Sequence, residues 1–488
     1  MSSGDVAGRA ARGAAAHILR NGGVQVMQIA SSLVVARLLV PAEYGTFAIA
    51  AVLVGFARMA GDLGFSASMT VAPTIERRDL QGATFIGVTA AVIAAVAIGV
   101  AGYFMNAASP SVLGHLVTAI LAISLVIDAM RLGPTVVLSR GLLFQRVALV
   151  AIVETFALYL VQIGLLIAGA GVWALVIGQI ARSIVGAGVL ARLGSGFVRP
   201  KRVPAMRSRI RTSLPYQGPA ILSGLSGLVL PLIIVAQLGK TGVGLWAWAT
   251  VLSAPFTAIF IGIHQISMAS FARLRREVIN KANVAELLVA RLTLLTAAVA
   301  AGGLYGLAPS IVTFIFGERW EPAVGAVQAN LVGLVPFALV YVLAASLDAR
   351  MQPRRRLIAA LIGTACAIAA VLPLSLTLGV TGAAIAGAIV APLVDALILV
   401  GLARVLVARA ITGAIVVLAG AGLVSTAMET TVQSWQTLVL ALSVSILAAS
   451  VLALCVDRHA VQQAARYLRR RRAADAPSAE LGTGPVTS

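Results

Sequence analysis

Fourteen apolar stretches, each long or nearly long enough to cross a hydrocarbon core of ~30 Å as a helix of about 20 residues, decide what this chain can fold into. They run over 13–36, 44–70, 82–104, 111–137, 147–168, 171–191, 215–238, 243–270, 287–308, 322–346, 357–377, 381–403, 410–427 and 436–456. Of 488 residues, 60% are hydrophobic and 11% charged, and the mean hydropathy of +0.99 argues against soluble packing. The first run follows basic residues, as a cleaved signal peptide would. Its length and the spans after it read instead as a retained helix. The reading is an all-α polytopic membrane protein.

The basic residues give an independent test of this map. With the N-terminus in the cytoplasm, twenty-nine of the 37 Lys and Arg fall on that side in short clusters, and only Arg37, Lys240 and Arg319 on the other. Lys and Arg favour cytoplasmic loops, so the number of crossings is even and both termini are assigned inside. The net charge of +20 is then a topology signal, not a nucleic-acid surface. All five tryptophans, Trp173, Trp246, Trp248, Trp320 and Trp435, lie at or near external boundaries, where an amphipathic ring sits between tails and water. Cys366 and Cys455 lie inside apolar runs and support neither a disulfide framework nor a metal site.

The longest internal linker, 192–211, contains RPKRVPAMRSRIR and divides six spans from the rest. The expected layout is an N-terminal six-helix lobe over 1–193, a basic cytoplasmic linker over 194–212, a C-terminal six-helix lobe over 213–405 and two additional helices over 406–456. A basic tail, expected to be disordered, occupies 457–488, and its RYLRRRRAAD segment suits anionic lipid or a partner. VARLLVPAEYGTFA at 35–48 resembles VAQLGKTGVGLWA at 235–247 with one residue deleted, a mark of the repeated halves many transporters use. GAGVW at 169–173 and GVTG at 379–382 must each reverse the chain within a few residues. Abundant Gly and Ala let helices approach closely in lipid, and Pro231, Pro255, Pro336, Pro373 and Pro392 interrupt or kink spans.

ARLLVPAEYGTFAIA at 36–50, DLGFSAS at 62–68, GAGVWALVIG at 169–178, FARLRRE at 271–277 and FGERWEPA at 316–323 together resemble the bacterial polysaccharide exporters. These are O-antigen or exopolysaccharide repeat-unit flippases of the multidrug/oligosaccharidyl-lipid/polysaccharide superfamily. The resemblance implies two pseudo-symmetric six-helix lobes around a central cavity, with the last two helices as additions. It also implies translocation of an undecaprenyl-pyrophosphate-linked oligosaccharide from the cytoplasmic to the periplasmic leaflet of the inner membrane, for polysaccharide or lipopolysaccharide biosynthesis. Anionic lipids, a polysaccharide polymerase and other assembly proteins are the implied partners; no nucleic acid and no cofactor are expected.

Ionisable residues inside the membrane usually face a bundle interior or a wet cavity. Arg58 and Asp62 lie one helical turn apart, Asp128 and Arg131 are spaced i,i+3, Arg182 is near the middle of the sixth span, and Glu154 is in the fifth. Two readings stand. In one, Arg182, Arg131 and Arg58 make a cationic cavity for the pyrophosphate, guanidinium being suited to paired contacts with phosphate. In the other, each is neutralised: Arg58 by Asp62, Arg131 by Asp128, Arg182 by Glu154. Asp395, the only acid within an expected second-lobe crossing, either couples transport to Na⁺ or a proton, as in an antiporter, or caps a packed polar contact or pairs with Arg404. His17 and His264 are expected to make interfacial hydrogen bonds, and Trp320 to anchor the FGERWEPA turn at the interface.

A membrane polymerase or glycosyltransferase would need a sizeable loop carrying its active site, whereas the longest external connection has about thirteen residues. With no nucleophile triad, metal-ligand set or phosphate-binding glycine loop in sight, the chain is read as no enzyme. A cation-coupled multidrug exporter departs from the pattern because 13–36 holds no acid. A peptidoglycan-precursor flippase handles the same class of carrier and stays open.

Overall fold

The computed structural model describes residues 27–71, 74–107, 112–141, 143–194, 196–203, 206–277, 279–350, 352–403 and 408–457. Among these the regular elements are all helical, as expected. They are α1 (Met27–Leu38), α2 (Pro41–Gly61), α3 (Phe65–Val71), α4 (Arg77–Ala107), α5 (Val112–Ala129), α6 (Leu132–Arg140), α7 (Phe144–Ile167) and α8 (Val172–Leu193). There follow α9 (Met206–Glu277), α10 (Ile279–Tyr305), the one-turn α11 (Ala308–Ser310), α12 (Val324–Ala349), α13 (Pro353–Ile385), α14 (Ala391–Ala403), α15 (Ala408–Glu429) and α16 (Trp435–Val456).

Ten stretches among the described residues are long and apolar enough to cross a membrane, eleven if the bent pair Leu116–Ala129 and Leu132–Arg140 is one span. Two of them, Gly227–His264 and Arg354–Val400, have 38 and 47 residues, about twice what one crossing needs. Each holds a glycine outside helical geometry, Gly239 (φ 66°, ψ −169°) and Gly379 (φ 59°, ψ −132°). A Cβ on Gly382 would overlap the Leu374 carbonyl oxygen, although residues eight apart on a straight helix are ~12 Å apart. The chain therefore doubles back at Gly379, and Gly242 against Leu238 marks the same reversal at Gly239. With the bent pair counted once and both long stretches split, the described residues hold thirteen apolar stretches, and the short apolar α1 covers the end of the first run read from the sequence.

The described residues fall into two compact units. The first lies within Met1–Pro255, Pro309–Asn330 and Leu357–Val394. Its main core joins Ala50 and Val54 of α2, Ala91 and Ile98 of α4, Leu121 and Leu125 of α5, and Val172 and Val176 of α8. A second core, Phe65, Met69, Leu80, Leu132, Val136 and Val198, packs α3 and α6 against the start of α4.

Trp248 and Trp320 are buried among protein side chains inside this unit and do not face tails or water, which corrects the expectation for both. Each is at most 1% exposed, their rings stack 4.5 Å apart, and Trp320 Nε1 donates to the Ala36 carbonyl at 2.8 Å. The reason is local. A π-helical turn (Ile311–Phe316) ends at Gly317 (φ 108°), and a 3-10 turn (Glu318–Ala323) follows. Arg37 Nε pins the first turn through the Ile315 carbonyl at 2.9 Å, and Tyr44 meets Trp320 edge-on at 6.1 Å. Trp435, 53% exposed, keeps a surface position.

The second unit lies within Phe256–Ala308, Leu331–Arg356 and Asp395–Ser488. Here α10 meets α15 through small residues: Ser425 Oγ donates to the Gly302 carbonyl at 2.8 Å and accepts from the Gly306 amide at 2.9 Å. Asp395 is not the sole acid inside a helix of this half. Helices α10 and α12 extend past the expected limits to take in Glu286 and Asp348. Glu286, almost fully buried, accepts from Arg275 Nη2 at 2.5 Å, Arg350 Nη2 at 3.0 Å and Ser346 Oγ at 2.9 Å. Asp348 takes Arg356 Nη1 at 2.6 Å and stands 3.2 Å from His264 Nε2, so His264 bonds to protein. His17 lies outside the described residues.

Candidate functional site

Charge enters the hydrocarbon region where the fourth crossing breaks. Helix α5 stops at Ala129 and α6 starts at Leu132 with a bend of 41°. Asp128 and Arg131 flank the bend, and Arg131 Nη1 donates to Asp128 Oδ1 at 3.2 Å. The break also frees Arg131 to reach α7, where its Nη2 donates to Glu154 Oε2 at 2.6 Å.

Arg58 extends the network from α2. Its Nε lies 2.8 Å from Asp128 Oδ2, an ion pair without the N–H alignment of a hydrogen bond. The expected Arg58–Asp62 pair is therefore replaced by Arg58–Asp128. Helical spacing fails here because α2 ends at Gly61, and Asp62 begins a turn through Leu63 (φ 48°) and Gly64 (φ 74°). Asp62 Oδ1 instead accepts from Ser66 Oγ at 2.5 Å. Arg182 of α8 stands 3.6 Å from Glu154 Oε1.

All six residues line one cavity of about 300 Å³ within the first unit. Three guanidiniums face three carboxylates there, so the formal charges balance and the cavity is not cationic in sum. Depth separates the signs. The Asp128 and Glu154 side chains are 9% exposed, whereas those of Arg58 and Arg182 are 35% and 34% exposed. Arg58 and Arg182 are thus more accessible than the Asp128 and Glu154 carboxylates they approach, while Asp62 is itself half-buried. Chemically, this arrangement can exchange an internal carboxylate for an external phosphate oxygen without stranding a bare arginine in a low-dielectric site.

Two contributors escaped sequence reasoning. Ser183 Oγ donates to Asp128 Oδ2 at 3.4 Å. Gly186 leaves the space the network fills: a Cβ there would overlap Glu154 Oε2 and lie 3.3 Å from Arg131 Cζ. A signal existed, since Gly186 is four residues from Arg182 and shares its helix face.

Asp395 is not among the residues lining this cavity; it stands in α14, at the start of a segment of the second unit. Its Oδ1 is buried with no hydrogen-bond partner among the described residues, and a π-helical turn (Ala386–Val390) precedes its helix, an irregularity frequent at functional sites. Arg404, its alternative partner, lies outside the described residues.

Comparison with known proteins follows the same lines. Residues 34–325 match the family described as "Polysaccharide biosynthesis protein". No curated protein matches the chain in sequence. Among solved structures, the chain is similar to the lipid II flippase MurJ in an inward closed conformation, with TM-score 0.73, 13% identity and coverage of 91% of this chain and 99% of that one. An inward-facing multidrug resistance MATE transporter of the MOP superfamily gives TM-score 0.61 at 15% identity, covering 80% and 96%. A eukaryotic MATE transporter gives 0.53 at 12%, covering 80% and 94%. At these identities the likeness shows the fold, a multi-pass membrane architecture shared with flippases and transporters.

Proposed function

Because the chain belongs to the polysaccharide biosynthesis protein family, we propose that it moves an undecaprenyl-pyrophosphate-linked oligosaccharide repeat unit from the cytoplasmic to the periplasmic leaflet of the bacterial inner membrane by alternating access. The observation that carries this reading is the Arg58–Asp128–Arg131–Glu154–Arg182 network lining a cavity in a membrane-spanning unit. Pyrophosphate needs ionic partners wherever it leaves water. Arg182 and Arg58 supply them at the cavity surface, and Arg131 ties the two carboxylates together behind.

The balanced charge of the cavity has a consequence for energy coupling. A pyrophosphate entering a neutral site leaves it net negative, which a low-dielectric surrounding opposes. A Na⁺ ion or proton taken up in the same cycle relieves this, and Asp395 is the candidate carrier.

Likeness of fold to MurJ favours a second reading, flipping of a peptidoglycan precursor, whose pyrophosphate would use the same cavity. Deleting the gene and assaying lipid-linked intermediates by leaflet separates the two. The first reading expects repeat-unit oligosaccharide trapped on the cytoplasmic leaflet with wall synthesis intact. Normal surface glycan with trapped wall precursor would overturn it in favour of the second.

A further inference from the structure

Beside the charged cavity, within the same unit, lies an apolar one of about 340 Å³, lined by Leu53, Phe56, Ala90, Ala94, Ala97 and Leu228. The two share Ala57 and Gly61 of α2 as a common wall. Small side chains on α2 and α4 keep this slot open. Helix α9 forms another wall: a Cβ on Gly224 would overlap Met59 Cε, and Leu228 lies one turn further along.

Helix α4 shows where the slot stands. At 3.6 residues per turn, its surface divides into three successive sectors. Gly87 and Ala91 face the charged cavity, and Ala90, Ala94 and Ala97 line the slot. Ile93, Val96 and Val100 follow next and are 64%, 63% and 51% exposed. A membrane protein turns such a sector toward lipid. The slot therefore lies between the charged cavity and the hydrocarbon around the protein.

We propose that this slot receives the hydrocarbon chain of the carried lipid where it joins the pyrophosphate, an assignment that rests on the pyrophosphate reading above. An amphiphile with its phosphates among Arg58, Arg131 and Arg182 has a chain attached directly to them. Without an apolar exit beside the arginines, its first units would lie against charged groups and strip them of polar partners. Leaving lipid for another apolar surface gains little free energy. The slot thus decides which amphiphiles fit and contributes little to affinity.

The test uses the full-length protein in lipid nanodiscs, with inorganic pyrophosphate and farnesyl pyrophosphate as probes. Ala94→Trp fills the slot, and Ile93→Trp places the same bulk one residue away, toward lipid. Ala94→Trp is expected to weaken farnesyl pyrophosphate binding about tenfold, the scale of an overpacked site, and to leave inorganic pyrophosphate unaffected; Ile93→Trp changes neither. Unaltered farnesyl pyrophosphate binding in Ala94→Trp overturns the slot while the pyrophosphate site survives. Failure of the unsubstituted protein to bind either probe overturns both. If Ala94→Trp loses both probes, photo-cross-linking of the unsubstituted protein decides, with a farnesyl pyrophosphate carrying a diazirine on its chain. Labels within 53–61, 90–98 or 224–228 support the slot, and labels confined elsewhere overturn it.

Discussion

Gly45 of α2 and Gly244 of α9 meet in reciprocal contact. A Cβ on Gly45 would overlap the Lys240 carbonyl oxygen and lie 3.0 Å from the Gly244 nitrogen. One on Gly244 would overlap the Pro41 carbonyl oxygen and lie 2.9 Å from the Gly45 nitrogen. Lys240 and Gly244 follow Pro41 and Gly45 by the same 199 positions, the offset of the 35–48 and 235–247 segments. The repeat thus packs on itself about a local two-fold axis, glycine on glycine.

Such a contact has no room for a methyl group. Gly45→Ala and Gly244→Ala are each expected to cost about 1–3 kcal/mol through overpacking, seen as a lowered melting temperature in detergent. The double variant should cost less than the two singles combined, because the same crossing opens only once. Single variants that melt with the parent protein would refute the close approach.

A second pair of glycines repeats the symmetry in backbone angles. Gly171, in the turn before α8, has φ 56° and ψ −136°, and Gly379 has φ 59° and ψ −132°. Side chains are strained there, so Gly171→Ala and Gly379→Ala should each destabilise by about 1–3 kcal/mol. Gly188→Ala, on α8 with nothing within 4 Å of a Cβ, should be harmless. Equal behaviour of all three would remove the reason for glycine at the turns.

These turns show what the sequence made legible. A glycine-rich run between abutting apolar stretches has one physical use, a tight reversal, and both reversals occur where GAGVW and GVTG stand. Charge inside a span was equally visible: all three cavity arginines were identified from their apolar surroundings alone. Pairing was not. Arg58 turns to Asp128 because α2 stops at Gly61, and helix ends are poorly marked in uniformly apolar sequence. Trp248 and Trp320 read as interfacial from their place near the ends of apolar runs, but the same residue in the same place can equally serve a buried stack. Glu286 and Asp348 lie just outside the expected spans because a charged residue at the edge of an apolar run does not show in sequence whether the helix continues past it.

Position in the network separates the roles of two arginines. Arg131 contacts both Asp128 and Glu154 and is 21% exposed, whereas Arg182 makes one 3.6 Å contact. Arg131→Gln is expected to lower stability by about 1–3 kcal/mol, the cost of leaving buried charge unpaired. Arg182→Gln should cost about 0–1 kcal/mol yet abolish transport, with Arg182→Lys retaining part of it through charge without the fork. Full transport by a normally expressed Arg182→Gln protein would remove Arg182 from the binding site.

Asp395 carries a prediction of opposite sign for stability. Its Oδ1 is buried without a hydrogen-bond partner among the described residues, so Asp395→Asn removes a half-buried charge without breaking a hydrogen bond at that oxygen. The melting temperature should hold or rise. If Asp395 carries the coupling ion, the variant's transport in proteoliposomes should lose its dependence on an imposed Na⁺ or proton gradient. A variant that still responds fully to both gradients would exclude it.

Topology gives the last prediction, and it depends only on parity. Arg202 and Glu318 are both exposed. Between them the chain makes two crossings in α9, reversing at Gly239, and one in α10. An odd number of crossings puts the two positions on opposite sides of the membrane, and the basic cluster around Arg202 assigns that side to the cytoplasm. With Cys366 and Cys455 replaced by serine, a cysteine at 318 should react with an impermeant maleimide added outside, and one at 202 only after lysis. Reaction of both from one side would mean that α9 crosses once. The reversal at Gly239, the repeat that meets at Gly45 and Gly244, and the fourteen crossings read from the sequence would then all fail together.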